Sequence, residues 1–143
     1  MKLPKIDFTS NQAVFDHIVG HLLNQGKRCV AEVTRGMPWC QYREGNLACA
    51  IGCLMTDEEA AKADRAASGE AWGILEVLDN IPSVEERLRY ANHEMLAMMQ
   101  DIHDSAGDFH DPAPFWKERF QQVAECMGLE WRYGETGGAD AVT

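Results

Sequence analysis

Apolar residues at helical spacing, bounded by helix start and stop signals, restrict the fold of this chain more than any other feature. The first such segment follows the capping side chain of Thr9, with Gln12 three positions later, and is expected to end at Gly26, whose missing Cβ tolerates a left-handed conformation. Its apolar positions recur every three or four residues and are Val14, Phe15, Ile18, Val19, Leu22 and Leu23. This pattern predicts a first helix with one buried face.

Two capping boxes predict helices further along the chain. In residues 56–59 (TDEE) a hydroxyl and a carboxylate can each satisfy an unpaired backbone donor, which predicts a helix over 60–67 that Ser68-Gly69 ends. Residues 83–86 (SVEE) have the same form and predict one long helix. The inner face of that helix is expected to carry Leu88, Ala91, Met95, Met98, Met99 and Ile102.

Two further segments complete the helical pattern. Residues 72–78 predict a short helix, and a last helix is predicted between the cap Asp111-Pro112 and Gly128. The buried positions of this last helix are expected to be Phe115, Trp116, Phe120, Val123, Ala124 and Met127.

The region between the first helix and the capping boxes has a different character. Residues 28–33 and 39–43 are short and rich in β-branched or aromatic side chains, and 34–38 form a loop between them, which predicts a small hairpin. Residues 47–55 (LACAIGCLM) are nearly all apolar but too few for periodicity to separate a strand from a helix, so they predict burial alone.

Length and composition agree with one soluble domain. The chain has 143 residues, of which 45% are hydrophobic and 25% charged. It has no apolar run near the roughly 18 residues of a membrane span and no signal-peptide stretch at its start, so we expect a cytoplasmic protein without a membrane contact. The expected fold is a mainly α single domain over residues 1–133, with about five helices and a small β-hairpin, followed by a flexible tail at 134–143.

Charge is distributed unevenly along the chain. The formal net charge is −10; residues 1–50 carry six basic and four acidic groups, and residues 51–143 carry seven and nineteen. This excess of acid disfavours direct binding to nucleic acid, which depends on neutralising phosphates. It attracts basic surfaces and resembles the charge of a nucleic-acid backbone, although solubility alone also accounts for it.

Several short motifs occur together in this chain. They are C-x-Y-R at 40–43, C-A-x-G-x-L-x-x-D at 49–57, H-D at 103–104, Trp116 in the last helix and Gly-Leu at 128–129. In combination they resemble a group of small uncharacterised bacterial and phage- or prophage-encoded proteins, over roughly residues 13–129. The acidic tail after Tyr133 departs from that group. The resemblance implies a phage-associated setting and no particular activity.

The cysteines raise the question of a metal or a nucleophile. If residues 47–55 were helical, Cys49 and Cys53 would share one face, with Cys40 close by and His103 as a fourth ligand of a zinc ion. The spacing lacks the close pairs typical of zinc sites, so two small core residues are the favoured interpretation and no cofactor is expected. Cys49 could instead be a nucleophile served by His103-Asp104, but apolar neighbours would raise the pKa of its thiol.

A pair of histidines, His17 and His21, lies at i and i+4 of the first helix. This spacing can bind a metal, but without the Glu of H-E-x-x-H we interpret the pair as residues of a polar helix face.

Five residues are candidates for contact with a partner. Trp39, after a Met-Pro pair, is the best candidate for an exposed aromatic anchor. Tyr42 and Arg43 lie close by, and Arg43 either pairs internally with Asp57 or Glu58 or contacts the partner together with them.

These observations favour a non-enzymatic phage or prophage accessory protein that binds a host or phage protein. One concrete form is an acidic inhibitor of a nucleic-acid-binding defence complex, as an anti-CRISPR is. The alternatives are a metal-dependent or cysteine-dependent enzyme, or a structural zinc module, built on Cys40, Cys49, Cys53 and His103. The oligomeric state is left open.

Overall fold

The computed structural model describes residues 2–31, 39–66, 73–106 and 111–133. Its helices are α1 (Asn11–Gln25), α2 (Asp57–Ala66), α3 (Ile74–Asn80), α4 (Pro82–Leu88), α5 (His93–Asp104) and α6 (Ala113–Met127). Its strands are β1 (Val30–Ala31), β2 (Trp39–Cys40), β3 (Arg43–Glu44) and β4 (Leu47–Ala48), and a 3₁₀ turn spans Gly52–Leu54. The mainly α fold with a small hairpin is confirmed, with six helices in the described ranges where about five were predicted. The predicted helix stop at Ser68-Gly69, Trp72 and the tail 134–143 lie outside those ranges.

The residue that caps the N-terminus of α1 is Ser10, one position after the predicted Thr9. The hydroxyl of Ser10 accepts from the backbone N–H of Ala13 at 3.1 Å, whereas the hydroxyl of Thr9 donates to the carboxylate of Asp7 at 2.6 Å. Ser10 is therefore the capping residue, while the hydroxyl of Thr9 is bonded to the carboxylate of Asp7. The helix ends at Gly26 as predicted, with φ at 77° and its N–H donated to Leu22.

Two antiparallel hairpins follow α1. In the first, Val30 pairs with Cys40 and Ala31 with Trp39, which confirms the predicted hairpin. The second joins β3 to β4 through a turn at Gly45, whose φ of 60° suits glycine. The apolar run 47–55 is neither one strand nor one helix: it begins with β4 and ends in the 3₁₀ turn, and it is buried beyond Leu47.

The first predicted capping box forms. The hydroxyl of Thr56 accepts from the backbone N–H of Glu59 at 3.1 Å, and the carboxylate of Glu59 accepts from the N–H of Thr56 at 2.9 Å. The second does not form, because Pro82 opens α4 and the hydroxyl of Ser83 donates to the carboxylate of Glu59 instead.

The prediction of one long helix from residue 83 is wrong. Helix α4 ends at Leu88, and α5 begins at His93 with the side-chain oxygen of Asn92 accepting from the N–H of Met95 at 2.9 Å. The imidazole of His93 also donates to the carbonyl of Leu88 at 2.9 Å. Groups that cap both helix ends therefore lie in the break between α4 and α5.

The core lies where α1, α5 and α6 meet the apolar residues 48–55. The largest fully buried side chains include Phe15, Leu22, Met95, Trp116 and Phe120. Of the helices in the described ranges, none combines the length and apolar character needed to cross a membrane.

Candidate functional site

Tyr42, Arg43 and residues 49–57 form one unit in the structure, which we call the motif cluster. The hairpin of β3 and β4 folds the chain back so that the N–H of Cys49 donates to the carbonyl of Tyr42 at 3.2 Å. A Cβ placed on Gly52 would lie 1.9 Å from that carbonyl oxygen. Since no side chain fits at that distance, residue 52 must be glycine for this approach of the two backbones.

Arg43 connects three parts of the motif cluster. Its Nη2 donates to the carbonyls of Gly52 at 3.0 Å and Met55 at 3.1 Å, and its Nη1 pairs with Asp57. The Arg43 side chain is 11% exposed, whereas that of Asp57 is 67% exposed. Arg43 thus binds β3 to the 3₁₀ turn and to the first turn of α2.

Asp64 on α2 adds two hydrogen bonds to the network around Arg43. Its two carboxylate oxygens accept from the backbone N–H groups of Tyr42 at 2.9 Å and of Arg43 at 3.1 Å. Burial raises the pKa of Asp64 and outweighs the opposing hydrogen bonds and the Arg43 charge. Sequence reasoning missed Asp64, although its seven-residue spacing from Asp57 places both acids on one helix face.

Both cysteines of the motif cluster are core residues in this structure. Cys49 and Cys53 are buried; the sulfur of Cys49 accepts from the N–H of Gly52 at 3.2 Å, and Cys53 donates to the carbonyl of Ala50 at 3.1 Å. Burial raises the pKa of both thiols well above the ordinary value. At neutral pH they are protonated, which is unfavourable for a nucleophile or a metal ligand. The side chain of Cys40 lies outside the described part of the structure.

His103 has both ring nitrogens engaged. Its Nε2 accepts from the backbone N–H of Cys29 at 2.9 Å, so the proton is on Nδ1, which donates to Asp104 at 2.7 Å. The ring is fully buried and stacks on Trp116 with a centroid distance of 5.8 Å and an interplanar angle of 17°. A metal could be bound only after one of these bonds was broken. The H-D motif therefore joins α5 to the segment after α1.

A second buried charge lies next to the motif cluster. The guanidinium of Arg87 pairs with both carboxylate oxygens of Glu59, at 2.7 and 2.9 Å, and also donates to the carbonyl of Leu54 at 3.1 Å. Burial acts to raise the pKa of Glu59, but the hydrogen bonds from Arg87, Ser83 and the backbone of Thr56 lower it to about 2. This pair holds α4 against α2, and sequence reasoning missed it because its members are 28 residues apart.

The candidate partner-binding residues fall into different environments. Tyr42 lies in the core, Arg43 is largely buried with its charge paired to Asp57, and Asp57 and Glu58 are exposed. The side chain of Trp39 is not among those described. The structure thus brings Tyr42, Arg43 and Asp57 together and leaves the carboxylates of Asp57 and Glu58 exposed.

Among the described side chains of residues 2–31, 39–66, 73–106 and 111–133, no group of three or more His, Cys, Asp or Glu is arranged to hold a metal ion. The predicted zinc set includes Cys40, whose side chain is outside that part of the chain, so the zinc site stays a prediction.

Comparison of the chain with known protein families, with curated proteins and with solved structures finds no match in any of the three.

Proposed function

We propose that this protein acts without chemistry of its own, by binding a protein partner with a basic surface in a phage- or prophage-associated setting. The observation that carries the proposal is the charge of residues 51–143, which hold nineteen acidic and seven basic groups. A field of this sign favours association with basic surfaces and raises the rate of encounter with them.

The helices present this charge to solvent. Among the described side chains of α2 to α6, nine acidic ones are exposed against two basic ones, Lys62 and Arg119. The exposed acids are Asp57, Glu58, Glu76, Asp79, Glu86, Glu94, Asp101, Glu118 and Glu125. An acidic surface of this kind competes with the phosphate backbone for a nucleic-acid-binding protein. Inhibition of a nucleic-acid-binding defence complex, as by an anti-CRISPR, is the concrete form that we propose.

The chemistry of the motif cluster supports a binding role over a catalytic one. Within it, Arg43 bonds to two carbonyls and to Asp57. Outside it, the candidate base His103 is bonded to Cys29 and Asp104. Raised thiol pKa values and occupied imidazole nitrogens suit a structural function.

Partner capture tests the proposal. Immobilised full-length protein is exposed to bacterial lysate at low and at physiological salt, and bound protein is then challenged with duplex DNA. We expect a saturable, nucleic-acid-binding partner that duplex DNA and raised salt both release, because the two polyanions compete for one surface. Failure to capture any saturable partner at either salt concentration, or a partner that duplex DNA leaves bound, would contradict the proposal.

Two exposed residues of α2 offer a matched pair of opposite sign. Glu58→Gln removes a negative charge and Lys62→Gln removes a positive one, four residues apart on the same helix. Glu58→Gln is expected to weaken binding of the captured partner, and Lys62→Gln to strengthen it, each by about two- to fivefold at low salt. Effects of the same sign in both variants would show that charge does not drive the association.

A further inference from the structure

His17 and His21 of α1 form a pair that the proposed function does not use. They lie at i and i+4, so one helix face presents both, and their rings stack with a centroid distance of 6.3 Å and an interplanar angle of 27°. Both side chains are half-buried, which leaves the pair within reach of solvent. We propose that this pair is a two-histidine binding site for a divalent transition-metal ion of borderline character, such as Zn²⁺ or Ni²⁺, with water at the remaining positions.

One ring nitrogen of His21 is held by a fixed acceptor. Its Nε2 lies 2.9 Å from Oε1 of Gln25, and that oxygen also accepts from the backbone N–H of Ala48 at 2.9 Å. The amide nitrogen of Gln25 donates to the carbonyl of Ala48 at 3.0 Å, which fixes the orientation of the amide. The proton of His21 is therefore on Nε2, and Nδ1 carries the lone pair that a metal needs.

His17 lies beside the motif cluster. Burial lowers the pKa of His17, and the backbone carbonyl of Cys53 acts in the opposite direction. Metal-binding histidines ordinarily donate their second N–H to a carbonyl or another acceptor, which fixes the tautomer and the ring orientation. His21 has this arrangement through Oε1 of Gln25.

The electrostatic environment keeps both rings neutral near pH 7. Burial lowers the pKa of His17, and burial together with the charges of His17 and Arg43 lowers that of His21, against the raising effect of the Gln25 hydrogen bond. Neutral imidazole is the ligating form. Arg43 opposes a cation at this place, and its ion pair with Asp57 offsets part of that repulsion.

The donor type selects the ion. Imidazole nitrogen suits Zn²⁺, Ni²⁺ and Cu²⁺, whereas Mg²⁺ and Ca²⁺ prefer oxygen ligands. Two histidines at i and i+4 of a helix can each place one nitrogen at about 2.0–2.1 Å from a shared zinc ion. Since Gln25, which holds His21, also bonds to the backbone of Ala48, an occupied site would hold α1 more firmly against β4.

Calorimetric titration of NiCl₂ and ZnCl₂ into full-length, reduced protein without an affinity tag tests the site. We expect about one ion per chain, with His17→Gln and His21→Gln each weakening binding at least tenfold. His93→Gln is the matched control, because His93 is also half-buried but donates to Leu88 outside α1. It is expected to leave the affinity unchanged.

Two results would overturn the proposal. One is that the wild-type chain does not bind metal at millimolar concentration. The other is that His17→Gln and His21→Gln bind metal as tightly as wild type. Loss of binding in Cys53→Ala would in that case place the metal at the cysteine segment. Circular dichroism and thermal unfolding without metal establish that each variant is folded. Histidine ring resonances in the NMR spectrum of the wild-type chain give a second readout, since only those of His17 and His21 should shift on metal addition.

Discussion

At the scale of single residues, the short motifs of this chain are explained by contacts within the fold. Position 43 requires arginine, because the forked guanidinium donates to two carbonyls and a carboxylate at once. Position 103 requires histidine, because one ring nitrogen accepts from the buried N–H of Cys29 while the other ring nitrogen donates to Asp104. Gly52 is required because another backbone occupies the place of its side chain.

Gly52→Ala provides the sharpest test at this scale. The new Cβ would lie 1.9 Å from the carbonyl oxygen of Tyr42, so the hairpin and the 3₁₀ turn must separate. We expect the free energy of unfolding to fall by about 3 kcal/mol in urea denaturation. Gly73→Ala is the control: its Cβ would meet the flexible end of Glu76 at 3.3 Å, and a loss of about 1 kcal/mol or less is expected. Equal losses in the two variants would contradict the argument.

At the scale of elements, short polar interactions decide where helices begin and how they pack. The break between α4 and α5 is one case, since Asn92 caps α5 and His93 caps the end of α4. The packing of α4 on α2 is another, since it depends on Arg87 and Glu59.

Asn92→Ala tests the helix break. Its loss would leave the N–H of Met95 without its acceptor, so we expect the free energy of unfolding to fall by about 1 kcal/mol. Asn80→Ala, which removes an exposed side chain at the end of α3, should change it by about 0.5 kcal/mol or less. A stabilising effect of Asn92→Ala would contradict this prediction, because it would show that the cap is not needed to keep α4 and α5 separate. Chemical denaturation of both variants provides the comparison.

The Glu59–Arg87 pair makes stability depend on pH. Because the folded-state pKa of Glu59 is lowered from 4.5 to about 2, its contribution is full above pH 5 and is lost as the pH falls from there towards 2. Each pKa unit corresponds to about 1.4 kcal/mol, so we expect this contribution to reach at most about 3 kcal/mol after screening by solvent. Urea denaturation of wild type and Glu59→Gln between pH 7 and 3 should show a variant that is less stable at pH 7 but loses less stability on acidification. Parallel pH profiles would show that other carboxyl groups dominate.

At the scale of the whole molecule, residues after α6 return to α1 and connect the two ends of the domain. Gln12 and Glu130 exchange side-chain-to-backbone hydrogen bonds at 2.8 and 3.1 Å, and the ring of Trp131 meets that of Phe15 edge-on at 6.3 Å. The hydroxyl of Tyr133 donates to the carbonyl of Asp16 at 2.7 Å. These contacts join residues 130–133 to α1, and the domain boundary at 133 stays a prediction.

Truncation and substitution at this end distinguish the domain from its tail. Trp131→Ala removes an aromatic contact with α1 and is expected to lower the free energy of unfolding by about 2 kcal/mol. A chain that stops after Tyr133 is expected to unfold with unchanged free energy, because residues 134–143 are predicted to be a flexible tail. Thermal and urea unfolding of the two proteins check both expectations. Destabilisation by the truncation would place the domain boundary further on.

The sequence by itself determined what depends on near neighbours: the helical class of the fold, the capping box at Thr56, the stops at Gly26 and Gly128, and the first hairpin. These features depend on hydrogen bonds and conformational preferences within a few residues. It could not supply Asp64 beneath Tyr42, Arg87 on Glu59 or the bonds of His103. Apart from Asp104, which is next to His103, the partners lie 21 to 74 residues away along the chain. In the low-dielectric interior a polar group takes whichever partner the packing of the whole chain brings to it.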